Sequence, residues 1–112
     1  MNKYTVYQIN LTKEQRDEVN TAPNYPEFYT KFLDATMQPT VERILAVRDL
    51  FKPVAVINAA DAEQALMFSN WGQEDAIERL APMRSVSVGD VLVDQNGKAV
   101  FVGEYAMGAI DF

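Results

Sequence analysis

From Lys3 to Ile9 the chain alternates, with Tyr4, Val6 and Gln8 on one side and Thr5, Tyr7 and Ile9 on the other. A period of two in β-branched and aromatic residues predicts a strand. The period then lengthens. Thr12 followed three residues later by Gln15 is a capping box, which opens a short helix over about Lys13–Val19. Tyr25, Phe28 or Tyr29, Phe32, Leu33 and Thr36 recur at spacings of three and four, so a second helix follows Pro26, a residue suited to a first turn. Pro39 ends it. Val41, Ile44, Leu45, Arg48 and Phe51 continue a helical pattern up to Pro53. These aromatic stripes are core-packing faces before they are anything else.

Pro53–Ala59 is a short apolar, β-branched run, hence a buried strand. Asp61 with Gln64 repeats the capping-box pattern and starts a helix through "AEQALMFSN", closed at Asn70–Trp71–Gly72. "QEDAIERL" predicts one or two further helical turns, stopped by Pro82. The remainder is β-rich. Ser85–Val88 alternates, Gly89–Asp90 marks a turn or bulge, and Val91–Val93 and Val100–Val102 flank Asn96–Gly97. Asn-Gly between such runs predicts a type I′ hairpin, whose two central residues need positive φ. "MGAIDF" adds a short closing strand. The expected fold is a single α+β domain over residues 1–112: a mostly antiparallel sheet with a C-terminal hairpin, and helices packed on one side.

Composition narrows the chemistry. There is no cysteine and no histidine in the 112 residues. That removes disulfides, thiolate or imidazole metal sites, and nucleophiles activated by histidine. Any catalysis would rest on carboxylates, Lys, Tyr, Ser or Thr, so the expectation is a non-enzymatic protein without cofactor or metal. No apolar run is long enough for a membrane span, and "MNKYTVYQIN" lacks the apolar core of a signal peptide, which points to a cytoplasmic setting. The net charge of −6 is carried by the second half, because residues 1–52 balance. Between Lys52 and Arg79 there is no base, but there are Asp61, Glu63, Glu74, Asp75 and Glu78. Such a surface repels phosphate and disfavours direct nucleic-acid binding.

Three segments, "YTVYQIN", "VAVINAADAEQALMFSNW" and "RSVSVGDVLVDQNGKAVFVGEYAMGAIDF", together resemble the YodL-like domain of phages, plasmids and other bacterial mobile elements. The matching positions are Ser85, Ser87, Val88, Asp90, Val91, Gly97, Lys98 and Ala99; the Lys13–Phe51 helices lie outside the resemblance. It implies a mobile-element accessory protein that acts on host or defence machinery in a bacterial cytoplasm.

Each candidate site also has a structural explanation. Ser85, Ser87 and Asp90 suggest a nucleophile and a carboxylate, but the only general base the sequence offers them is a lysine, and Lys98 lies across a hairpin turn; serines on a solvent face and turn bonding by Asp90 explain the three. Asp61 with Glu63, or Glu74 with Asp75 and Glu78, lacks the spacing of a calcium loop and suits helix starts. The same acids, with Phe68 and Trp71 as exposed aromatic anchors, form the candidate partner-binding set: Asp61, Glu63, Phe68, Trp71, Glu74, Asp75 and Glu78. The partner expected is a host protein with a basic surface, inhibited or redirected by binding. The alternative is a nucleic-acid-associated module using the N-terminal helices, with Lys3, Lys13, Arg16, Lys31, Arg43, Arg48 and Lys52 and several tyrosines. A carboxylate- or lysine-based enzyme is the third. An unpaired sheet edge offers a route to a homodimer.

Overall fold

A computed structural model describes residues Met1–Phe112. In chain order the elements are β1 (Asn2–Ile9), α1 (Lys13–Thr21), α2 (Glu27–Met37), α3 (Val41–Ala46), β2 (Phe51–Ala59), α4 (Ala62–Trp71), β3 (Ile77–Arg79), β4 (Val91–Asp94), β5 (Ala99–Val102) and β6 (Met107–Ile110). The strands form one sheet in the order β3-β2-β1-β4-β5-β6, every neighbouring pair antiparallel. The α+β class, the antiparallel sheet and the C-terminal hairpin match the sequence-based expectation. No helix is long and apolar enough to cross a membrane.

β1 lies inside the sheet, which is why it combines aromatic and β-branched residues on both faces. Tyr4 and Val6 sit opposite Ile57 and Ala55 of β2, and Val6 is also opposite Leu92 of β4. This face, with Val102 of β5, is covered by Ala65 of α4 and by Val86. Successive strand residues point to opposite faces. Ile9, Phe51, Val91, Ala99 and Ile110 therefore belong to the other face, where Ala35 of α2 and Ile44 of α3 pack. The helices are thus shared between the two faces, not packed on one side as expected: α4 packs on one through Ala65, and α2 and α3 pack on the other through Ala35 and Ile44. α1 buries no residue. Its start is held by the expected capping box, in which the Gln15 amide donates to Thr12 Oγ1 (3.1 Å) and the Thr12 amide to Gln15 Oε1 (2.8 Å).

Four local expectations are corrected. The helix predicted up to Phe51 stops at Ala46, followed by a 3-10 turn over Arg48–Leu50. Phe51 and Lys52 already pair with Ile9 and Gln8, and a register shift between Val6 and Tyr7 leaves Pro53 where β2 is irregular. A proline, lacking the N–H, is tolerated at such a bulge.

The helix expected in "QEDAIERL" is a single 3-10 turn, Glu74–Ala76, and then β3. Ile77, Glu78 and Arg79 pair with Ile57, Val56 and Ala55, so the open edge of β2 overrides a weak helical propensity.

Ser85–Val88 joins no strand; Val86 and Val88 pack against the core on the α4 face, and Val88 opens a turn.

The hairpin turn is not type I′. Gly97 has φ +83°, but no residue other than glycine has positive φ, so Asn96 does not. The Gly97 amide donates to Asp94 O (3.0 Å) and the Asp94 amide to Lys98 O (2.8 Å), the pattern of a turn closed by a glycine bulge. Asp94 selects it: its Oδ1 accepts from the amides of Asn96 (2.8 Å) and Lys98 (3.0 Å).

Candidate binding surface on α4 and the adjoining groove

α4 is fixed at both ends by its own sequence. Asp61 Oδ1 accepts from the Gln64 amide (2.8 Å), and Gln64 Oε1 accepts from the Ala60 amide (2.7 Å), one residue before the cap. Gly72, at φ +71°, ends the helix in the left-handed conformation that glycine adopts without strain. Ala65 is buried against the sheet, and Leu66 and Phe68 pack partly against the same core. Phe68 is therefore not an exposed anchor, a correction to its place in the candidate set. The inward face of the helix claims it.

The outer face carries Glu63, Met67 and Trp71 at intervals of four, one above another on a helix. Met67 is 42% exposed and Trp71 73% exposed. Asp61, Glu63, Asp75 and Glu78 are also exposed. Glu74 is committed elsewhere: both of its carboxylate oxygens accept from Arg79, with NH2 to Oε1 at 2.9 Å. That hydrogen bond holds the Glu74 carboxyl below its usual range and raises the Arg79 guanidinium in turn. The free acids of this region are thus Asp61, Glu63, Asp75 and Glu78, and Asp61 is already used as a cap. The carboxylates do not gather into a group of three or more that could hold a metal ion.

Beside α4 runs a groove of about 810 Å³. One wall is α4 itself, through Glu63, Leu66, Met67 and Asn70; the other is the β5–β6 connection, Gly103–Ala106. Ser85–Val88, Val102 and Met107 also line it. Tyr105 stands at its edge, 98% exposed. Sequence reading assigned Glu104 and Tyr105 no role. The available signal was a large aromatic residue in a connection bounded by Gly103 and Gly108, which a core-packing explanation does not cover.

Ser85, Ser87 and Asp90 do not form a reactive constellation. The two serines are exposed, whereas Asp90 is buried. Asp90 Oδ2 accepts from the Ser87 amide (2.9 Å) and from Gln8 Nε2 (3.0 Å), and Oδ1 accepts from Arg84 NH2 (3.0 Å). Gln8, also buried, donates to Arg84 O (2.9 Å) and accepts from the Arg84 amide (3.3 Å). Burial pushes the Asp90 carboxyl above its ordinary value, and the Ser87 amide, Arg84 and Gln8 pull it back only in part. The arrangement is a polar clamp that pins the Arg84–Asp90 segment to β1.

The N-terminal cations are dispersed in local contacts. Lys13 faces Asp17, Lys31 pairs with Glu27, Arg16 bonds Leu11 O, Arg43 bonds Gln38 O, and Arg48 stacks over the Phe112 ring. No family model matches the chain, and neither curated proteins nor solved structures give a match.

Proposed function

We propose that the chain is a non-enzymatic binding module, of the mobile-element kind its sequence resembles, that engages and inhibits a basic host protein through the outer surface of α4. One observation carries the reading: Met67 and Trp71 stand exposed one helical turn apart on the face that also carries the exposed Glu63, and the exposed Asp75 and Glu78 follow in the next segment. An exposed tryptophan in an acidic stretch of chain fits a protein interface, where aromatic burial supplies affinity and charge speeds encounter. The direct nucleic-acid reading has less support, because the N-terminal cations sit in separate local contacts instead of one stripe.

The test is capture from bacterial lysate on the immobilised protein, comparing wild type with Trp71→Ala and with the double variant Asp75→Lys/Glu78→Lys. One dominant protein should be retained by wild type, released at high salt and absent from both variants. Recovery of nucleic acid, or a captured protein indifferent to both variants, would overturn the proposal.

A further inference from the structure

We infer that the groove beside α4 takes an extended peptide segment that carries both apolar and basic side chains, paired through its backbone with Ser85–Val88. The inference rests on the binding-module reading and names a second contact for it, which shares Glu63 and Met67 with the α4 surface and adds Ser85–Val88 and Glu104. Three observations carry it.

The first is the backbone of Ser85–Val88. It joins no strand of the sheet, and it ends in a turn in which the Asp90 amide donates to Ser87 O (3.0 Å). The Ser85 N–H and C=O, the Val86 C=O and the Val88 N–H and C=O make no hydrogen bond within the chain. Unused backbone donors and acceptors beside a groove are partners for the backbone of an added chain, here the Val86 C=O and the Val88 N–H and C=O. The segment is also held rigid before any ligand arrives. The Val86 amide is bonded to Ser69 Oγ (2.9 Å), the Ser87 amide to Asp90, and the Arg84 backbone to Gln8 on both sides. A template fixed in advance lowers the ordering cost of binding.

The second is the lining. Leu66, Met67, Val86, Val88, Val102 and Met107 offer apolar surface of the kind that takes alternate side chains of an extended peptide. Methionines adapt to side chains of different shape.

The third is charge. Glu63 and Glu104 stand on opposite walls and no cation lines the groove. The nearest guanidinium, that of Arg84, is turned to Asp90 and Ile9 O. Lysine or arginine side chains alternating with apolar ones would meet both carboxylates.

The probe is a random dodecapeptide library displayed on cells, sorted against the intact protein. The best sequence is then synthesised and titrated by fluorescence anisotropy, alone and with alternate backbone amides N-methylated. Enriched sequences should alternate apolar residues with Lys or Arg. Methylating one set of alternate amides should weaken binding about tenfold, as expected for losing one or two hydrogen bonds, while the other set is tolerated. Glu63→Lys and Glu104→Lys, both exposed, should weaken binding with the fold unchanged, and amide shifts should centre on Ser85–Val88. No enrichment, acidic peptides, equal tolerance of both methylation patterns, or a concentration-dependent dimer with the same amides shifting would overturn it; in the last case a second copy is the occupant. The two readings fail separately. Lysate capture lost in Trp71→Ala but intact in Glu104→Lys, with no selected peptide, removes the groove and leaves the α4 surface standing.

Discussion

Replacing Asp90 by alanine tests whether the buried clamp on β1 holds the segment that walls the groove. The side chain accepts three hydrogen bonds, from Ser87 N (2.9 Å), Gln8 Nε2 (3.0 Å) and Arg84 NH2 (3.0 Å). In Asp90→Ala, the Ser87 amide loses its partner, at about 1 kcal/mol. Gln8 keeps its bond to Arg84 O but loses the second inside a buried site, at about 1–2 kcal/mol. The Arg84 side chain is 43% exposed, so water replaces much of its ion pair and that loss is below about 1 kcal/mol. The sum is roughly 2–4 kcal/mol. Urea unfolding followed by circular dichroism measures it, with an unchanged slope showing that the compactness of the two states is preserved. A loss under about 1 kcal/mol would refute the account, since that is the scale of a solvent-exposed contact.

The pH dependence adds an independent check. Burial raises the folded-state carboxyl above its ordinary value of 3.8. Protonation is then easier in the folded chain than in the unfolded one, so this group stabilises the fold as the pH falls through its raised pKa, with the gain complete below about 3.8. Relative to Asp90→Asn, which cannot titrate, wild type should gain stability on acidification from neutrality. A difference that moves the other way would mean that the pair with Arg84, not burial, dominates.

Two glycines separate backbone strain from crowding. Gly97 has φ +83° and open space where a Cβ would stand, so Gly97→Ala should cost only about 1 kcal/mol of conformational strain. Gly89 has φ +92°, and its Cβ would lie 3.0 Å from Ala35 O and 3.1 Å from Thr36 Cα, both backbone of α2; Gly89→Ala should cost at least about 1 kcal/mol more. Equal thermal melting shifts for the two variants would remove the proposed tight packing of α2 on this turn. Leu92 of β4, fully buried in the core on the α4 face, should cost about 2–5 kcal/mol on truncation to alanine, read from chemical unfolding; a smaller value would mean that the site collapses around the deletion.

Several residues of the candidate surface lay within reach of sequence reasoning, and Gln8 shows where that reach stopped. It is a polar residue on the face that Tyr4 and Val6 turn to the core, an anomaly visible in the alternation itself. Its explanation is Arg84 and Asp90, which are 76 and 82 positions away, and no local pattern connects them. Asp90 was legible as a turn residue, because its bond to Ser87 spans three positions, but not as a buried one. Trp71 was legible as a candidate anchor. Its exposure, and the partial burial of Phe68 three residues earlier, follow from which face of α4 meets the sheet.

What the sequence determined by itself is therefore what short range controls. The capping interactions of Thr12 and Asp61, the glycine stop at Gly72, the alternation of β1 and the absence of histidine and cysteine chemistry all follow from neighbours within a few positions. The tertiary structure decided the rest. It turned a weak helical pattern at Ile77–Arg79 into a strand, because the edge of β2 offered hydrogen bonds that a short helix could not match. It left Ser85–Val88 outside the sheet, because Gln8 and Asp90 satisfy the Arg84 backbone and the Ser87 amide that a strand partner would otherwise take. It also brought Glu63 and Glu104 to opposite walls of one groove. Such pairings depend on partners distant in the chain, and their energies exceed the few tenths of a kcal/mol by which local preferences differ.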